Sequence, residues 1–170
     1  MKCFYAVAAL AMALCGCGYH VEGHSDLLPS TIKTIYVPAW KNASIKYKLS
    51  DLLPQDISRE FISRTKYRVV TKPDGADATL TGTILKYRAN PAIFDPSTSR
   101  ASVVEFEVAL AVKLTDSSGK TLWENGWMPL KQRYEISSQA TQYFEESDPG
   151  VTRLSKEAAR TIVSAILSNF

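Results

Sequence analysis

The chain has 170 residues, 45% of them hydrophobic and 22% charged, with 8 Gly and 8 Pro. That composition excludes an overall disordered or low-complexity protein and fits one domain, which at this size needs neither a disulfide nor a metal ion to hold it together. The formal charge of +3, from 20 basic and 17 acidic residues spread along the chain, is too small to make nucleic acid the partner.

The N-terminus is a different material from the rest. Met1-Lys2 leads into the apolar stretch Phe4–Leu14 and then small residues around Cys15 to Gly18, the pattern of a signal peptide and too short to span a bilayer as a helix. Leu14-Cys15-Gly16-Cys17 resembles a bacterial lipobox, in which leucine stands three positions before the modified cysteine. Cys17 fits that frame, whereas Cys15 follows Leu14 directly, where a small residue is wanted. The expectation is therefore a signal peptide over 1–16, a lipidated tether over 17–30 beginning at Cys17, and a single α+β domain over 31–170. Cys3 and Cys15 leave with the signal, and the mature protein keeps no free thiol. A lipoprotein cysteine resembling known ones carries three acyl chains. Each buried methylene contributes about 0.8 kcal/mol, and two or more chains hold stably where one is marginal. Gly18, rather than aspartate, follows the cysteine, which points to the outer membrane.

Within the domain, Thr31–Trp40 is rich in β-branched and aromatic residues and reads as the first strand, stopping at Pro38. Leu49, Leu53, Ile57 and Phe61 then recur every four residues, one face of a helix capped by Ser50 or Asp51, with Pro54 near its first turn. Tyr67–Val70 is a second strand, ended by the turn Lys72–Asp77. Asp77–Arg88 has β-rich composition. In Ala101–Thr115 the residues Val104, Phe106, Val108, Leu110, Val112 and Leu114 share one parity, with Glu105, Glu107 and Lys113 on the other. One face of that strand is buried and the opposite face wet. Asp116–Lys120 is a hairpin turn into a strand from Thr121 to Ile136, which Pro129 places at an edge, at a bulge or at a break. Asp148-Pro149 start a last helix, with Val151, Leu154, Ala158, Ile162, Ala165 and Ile166 on one face and Arg153, Lys156, Glu157 and Arg160 on the other. The order predicts an α+β two-layer sandwich: a mixed four- to five-stranded sheet with two helices packed on one face and the first β-α-β unit paired in parallel.

Chemistry-bearing patterns are sparse. His20 and His24, with Glu22 and Asp26, have the spacing of two ligands on a helical turn, but the segment lacks helical periodicity and a third strong ligand; it reads as a solvated tether. These are the only histidines, so the body of the chain holds no nucleophile with a histidine base. Glu105 and Glu107 lie at i and i+2 on the wet parity of a strand, a solvated sheet face rather than a glycosidase pair. Gly82 and Gly119 are isolated turn or strand glycines, outside any phosphate-binding loop. The chain reads as a non-enzyme with no cofactor and no metal ion. Binding remains. Tyr87, Arg88, Asn90, Ile93, Phe94 and Arg100 lie on or beside a polar loop expected over Ala89–Ser99, long enough to be functional. Arg59, Arg64, Lys66 and Arg68 cluster at the first helix's end, where cations suit the dipole. Trp123, Trp127, Tyr134, Tyr143 and Phe144 supply aromatics either for an interface core or for covering the sheet.

Cys17-Gly18-Tyr19-His20, Leu28-Pro29 with Ile32 and Ile35, Asn42 before the first helix, and the alternating strand from Ser102 to Gly119-Lys120 resemble, in order and spacing, the LptE family of lipopolysaccharide-assembly lipoproteins of the bacterial outer membrane. The resemblance implies the same two-layer fold. It also implies a place inside the LptD β-barrel as plug and assembly partner, and binding of lipopolysaccharide on its way to the outer leaflet. In the family a basic residue just before the long alternating strand binds lipopolysaccharide; Arg100 is the closest position here, and Arg88, across the same loop, is the second candidate. Such side chains would meet lipid A phosphates through charge-assisted hydrogen bonds. A family basic residue near the later loop has no counterpart, since Tyr143-Phe144-Glu145-Glu146 is acidic. Two other readings share the anchor: an activator of a periplasmic peptidoglycan synthase, and an envelope hydrolase using Glu105 and Glu107.

Overall fold

The computed structural model describes residues 28–97, 99–135 and 147–169. Strand β1 (Thr34–Tyr36) is followed by a two-residue strand β2 (Lys41–Asn42), helix α1 (Leu49–Arg64) and strand β3 (Arg68–Val70). Thr31–Trp40, expected as one strand, is thus shorter. Pro38 has no N–H for a ladder, and past it the chain re-pairs as β2 with Thr83 and Ile84. β1 pairs in parallel with β3 on one side and with the start of β4 on the other, as the β-α-β reading requires. The four-residue repeat of α1 is fully used: Leu49, Leu53, Ile57 and Phe61 are all buried.

The start of α1 differs from the expected cap. Ser50 and Asp51 lie inside the first turn rather than capping it; the cap position is Lys48, with no side-chain cap bond. None is needed, because the amides of Leu49, Ser50 and Asp51 donate to the carbonyls of Lys46, Tyr47 and Lys48, so the preceding loop satisfies donors that a helix start leaves open. Pro54 cannot donate to the Ser50 carbonyl four residues back. The Trp40 N–H takes that place at 3.4 Å.

Strands β4 (Ala78–Asp95), β5 (Arg100–Asp116) and β6 (Thr121–Glu135) form an antiparallel meander, and helix α2 (Ser147–Leu167) follows. Sheet order is β3-β1-β4-β5-β6, with β2 beside β4. Pro129 therefore lies on an edge strand, opposite Ala109. A register shift between Leu110 and Val112 adds an extra residue around Gly126-Trp127, so Trp123 and Met128, of opposite parity, are both buried. In the β5–β6 turn the Asp116 carboxylate accepts from the amides of Ser118 and Lys120 and from the Ser118 hydroxyl, and Gly119 has φ +87°. These acceptances, the Ser118 hydroxyl foremost, hold its pKa below the ordinary carboxylate value.

Both helices cover the same sheet face. Phe106, Val108, Leu110, Val112 and Leu114 of β5 share one core with Leu80 and Ile84 of β4, the apolar face of α1, and Val151, Leu154, Ala158, Ile162 and Ile166 of α2. Two glycines allow close approach: a Cβ at Gly82 would stand 2.4 Å from the Trp40 ring, and one at Gly150 2.4 Å from Phe106. Between the helices, buried Ser155 donates to buried Asp56 at 2.7 Å, and Arg59 donates to the same carboxylate at 3.0 Å. The basic cluster at the end of α1 is partly absorbed here as well, since Arg64 reaches Ser164 of α2 at 2.9 Å. At the opposite side of the sheet Asp77 clamps β1 to β4, accepting from the amides of Lys33 and Thr34 and the Thr34 hydroxyl at 2.8–2.9 Å. The Lys33 amide is the main reason its carboxyl is held below its usual pKa.

Candidate functional site: a hairpin that outruns the core

The stretch Ala89–Ser99, expected as a loop, is largely strand. β4 continues to Asp95 and remains paired with β5 from Arg88↔Glu107 to Asp95↔Arg100, with register shifts on either side of Ile93. Only Asp95 to Arg100 turns. Pro91 is tolerated because, among the described residues, no strand flanks β4 on its other side beyond β2, so its missing N–H costs no ladder bond there. The turn reuses the device of Asp116: the Asp95 carboxylate accepts from the amide of Ser97 at 2.8 Å and its hydroxyl at 2.6 Å, and Ser99 takes φ +55°. The signal was present in the sequence as a second Asp-x-Ser, Asp95-Pro96-Ser97 beside Asp116-Ser117-Ser118, an Asx-turn pattern.

The core ends at a stacked pair, Tyr87 and Phe106, with ring centroids 6.2 Å apart. Gly150 of α2 lies on the Phe106 ring. Past this point the β4 residues from Arg88 through Phe94 are all exposed, and at about 3.3 Å per residue Arg88–Asp95 projects roughly 25 Å. Near the tip Ile93 and Phe94 remain 54% and 59% exposed, although large apolar side chains gain from burial. The candidate arginines both belong to this hairpin, but at opposite ends. Arg88 is at its root, opposite Glu107, and Arg100 at its turn, opposite Asp95. The strand separates them by roughly 20–25 Å, so they cannot grip one phosphate together.

At the root, the open face carries a ladder of charge. Arg133 donates to Glu105 at 3.0 Å, and Lys131 lies 3.4 Å from Glu105 and 2.6 Å from Glu107. The Arg133 bond, ahead of Lys131, holds the Glu105 carboxyl below its ordinary pKa, while Glu107 and then Glu105 raise that of the Lys131 amine. A general acid at neutral pH needs its carboxyl shifted upward; Glu105 is shifted the other way. Farther along the open face a groove of about 460 Å³ is lined by Lys41, Thr81, Thr83, Lys113, Glu124 and Asn125 among others, without a histidine or thiol.

The aromatic cluster divides. Trp123 is buried in the core, Tyr134 packs against it beneath the Arg153 guanidinium, 5.2 Å from the ring centre, and Trp127 is 58% exposed. Tyr143 and Phe144 lie outside the described residues, as do Cys17, His20 and His24. Among the described residues, no three His, Cys, Asp or Glu side chains come together to hold a metal ion, and no helix is long and apolar enough to cross a membrane.

A family model described as LptE, lipopolysaccharide-assembly, matches residues 32–166. No curated protein matches the chain. Among solved structures, an uncharacterized lipoprotein B from Nitrosomonas europaea is similar in fold with TM-score 0.53 and 15% identity, over 83% of this chain and 84% of that one. The rare lipoprotein B of Shewanella oneidensis is similar with TM-score 0.50 and 12% identity, covering 80% of this chain and 95% of that chain. The PelC dodecamer of Paraburkholderia phytofirmans is similar to the same extent, with TM-score 0.50 and 12% identity over 76% and 88% of the two chains. At these identities the likeness is one of fold, and a fold serves more than one function.

Proposed function

The chain belongs to the LptE lipopolysaccharide-assembly family, and from that premise we propose that it is an outer-membrane lipoprotein, anchored through Cys17, that acts with an LptD-like β-barrel as plug and assembly partner in lipopolysaccharide transport. The carrying observation is the family match across the α+β body, from Ile32 to Ile166. The projecting hairpin supports it physically. A barrel lumen is a surface that a rigid two-stranded finger can enter, and the exposed Ile93 and Phe94 are the kind of side chain that forms the apolar centre of an interface. Arg100 at the turn and Arg88 at the root are the residues proposed to meet lipopolysaccharide phosphates. With roughly 20–25 Å of ribbon between them, the two are proposed to meet different phosphates or successive positions of a passing molecule.

In this reading the protein carries out no bond chemistry. Ion pairing commits Glu105 and Glu107 to Lys131 and Arg133, which argues against the hydrolase alternative. The test is a mild-detergent pull-down of the full chain with mass spectrometry of the bound protein and lipid. Recovery of a large β-barrel together with lipopolysaccharide is expected; recovery of a peptidoglycan synthase alone would replace this function with the activator reading. Cys17→Ala is expected to release the protein from the membrane, and a variant that stayed fully membrane-bound would overturn the anchor.

A further inference from the structure

Residues 41–47 alternate in exposure: Lys41, Ala43, Ile45 and Tyr47 are exposed, and Asn42, Ser44 and Lys46 are half-buried. Alternation of this kind normally turns apolar side chains inward and polar ones to water. From Asn42 to Tyr47 it is reversed. The inward polar groups brace the loop: the amide and hydroxyl of Ser44 donate to Asn42 Oδ1 at 2.8 and 2.7 Å, Asn42 Nδ2 donates to the Lys46 carbonyl at 2.9 Å, and the Lys46 amide donates to Ser44 Oγ at 3.3 Å. Asn42 is the centre of that brace, and its consequence is that Ile45 and Tyr47 stand out at 83% and 77% exposure, the two highest among the described large hydrophobic residues. The apolar side chains are held in water by satisfied polar bonds, so the loop is built to be covered.

The chemistry around the two side chains says by what. Exposed Lys41 and Lys48 flank them, giving a two-pronged apolar tip with a basic collar. A protein interface centres on a packed apolar patch inside a polar rim. A bilayer surface instead accepts isolated prongs: an aliphatic side chain at the acyl boundary, a tyrosine at headgroup level, and lysines at the phosphates of an anionic surface. We propose that the loop from Asn42 to Lys48 is a membrane-docking prong that inserts Ile45 and Tyr47 into an anionic phospholipid surface. Because β2 runs parallel to β4, the prong lies at the end of the sheet from which the hairpin projects, away from Leu28, whose amide contacts Tyr67 beside the start of β3. The stretch Gly18–Leu28 reaches at most roughly 36–40 Å when extended. That exceeds the roughly 33 Å of Ala78–Tyr87, so a chain anchored at Cys17 can lie along the same membrane with the prong engaged.

The proposal rests on the proposed anchor at Cys17 and concerns the anchored chain at the membrane surface, before its hairpin end enters a barrel. Its test is hydroxyl-radical footprinting of the full chain on vesicles of phosphatidylglycerol and phosphatidylcholine, free of lipopolysaccharide, with mass spectrometry of the vesicle-bound fraction. Oxidation of Tyr47 is expected to fall severalfold relative to phosphatidylcholine vesicles, while exposed Trp127 keeps its reactivity. Lys41→Glu with Lys48→Glu is expected to restore Tyr47 oxidation on the anionic vesicles. Equal oxidation of Tyr47 on both lipids would overturn the prong, and so would protection that arises only when a β-barrel partner is added.

Discussion

Between Ala78 and Tyr87, β4 lies under the helices and its Leu80 and Ile84 are fully buried against Leu114 and Leu110 of β5. From Arg88 through Phe94 the same strand, still paired to the same neighbour, is exposed at every residue. Backbone pairing is common to both halves, so the difference lies in side-chain burial. A hydrogen-bonded ladder sets the path of a chain, and apolar burial determines where its stability resides. The near half is the foundation and the far half is free to be specified by what it touches.

The largest effect should come from the near half. Leu110→Ala empties a fully buried site and is expected to cost about 2–5 kcal/mol in denaturant unfolding; a cost under ~1 kcal/mol would show that the core does not hold the sheet. Next is Gly150→Ala at the boundary, where the new methyl would lie 2.4 Å from Phe106. Overpacking there should destabilise by about 1–3 kcal/mol and alter the Tyr87–Phe106 stack, seen by near-ultraviolet dichroism. Asp77→Asn weakens the clamp between β1 and β4 and is expected to cost about 1 kcal/mol at neutral pH. Its pH dependence has a definite sign. Asp77 is held below its ordinary pKa in the folded chain, so its contribution is present above the unfolded carboxylate value, near ~3.9, and is lost as pH falls through the lower folded value. The stability gap between wild type and Asp77→Asn should therefore close in acid, and a gap that widened would refute the clamp. The smallest effect on stability is expected in the far half: Phe94→Ser should change unfolding by less than about 0.5 kcal/mol while reducing co-purification of the proposed β-barrel partner. Loss of folding in that variant would erase the division between the halves.

The sequence conveyed these halves unequally, for physical reasons. Leu49, Leu53, Ile57 and Phe61, and the even-numbered residues of β5, were legible because burial imposes a period on each. The order of strands and helices, and the parallel first unit, followed from them. Ala89–Asp95 was misread because an exposed edge strand carries no such period, and Pro91, Asn90 and Pro96 have the composition of a loop. The roles of Gly82 and Gly150 were out of reach, since each is set by an aromatic ring more than forty positions away in the chain. Of the candidate site, Arg88 and Arg100 could be named from the chain, but their separation could not, because it depends on whether the intervening residues extend or fold back.

Pro54 gives α1 a property beyond tolerance of a proline. A regular helix is nearly indifferent to small rotations or to sliding along its axis, since each turn resembles the next and the apolar stripe repeats. The vacant acceptor at Ser50, filled by the Trp40 amide, removes that indifference. One turn of the helix is keyed to one peptide of the chain just before it, a constraint added to the Asp56–Ser155 bond that ties α1 to α2. An alanine at 54 would bring a second donor to that carbonyl, so the Trp40 amide would have to share it.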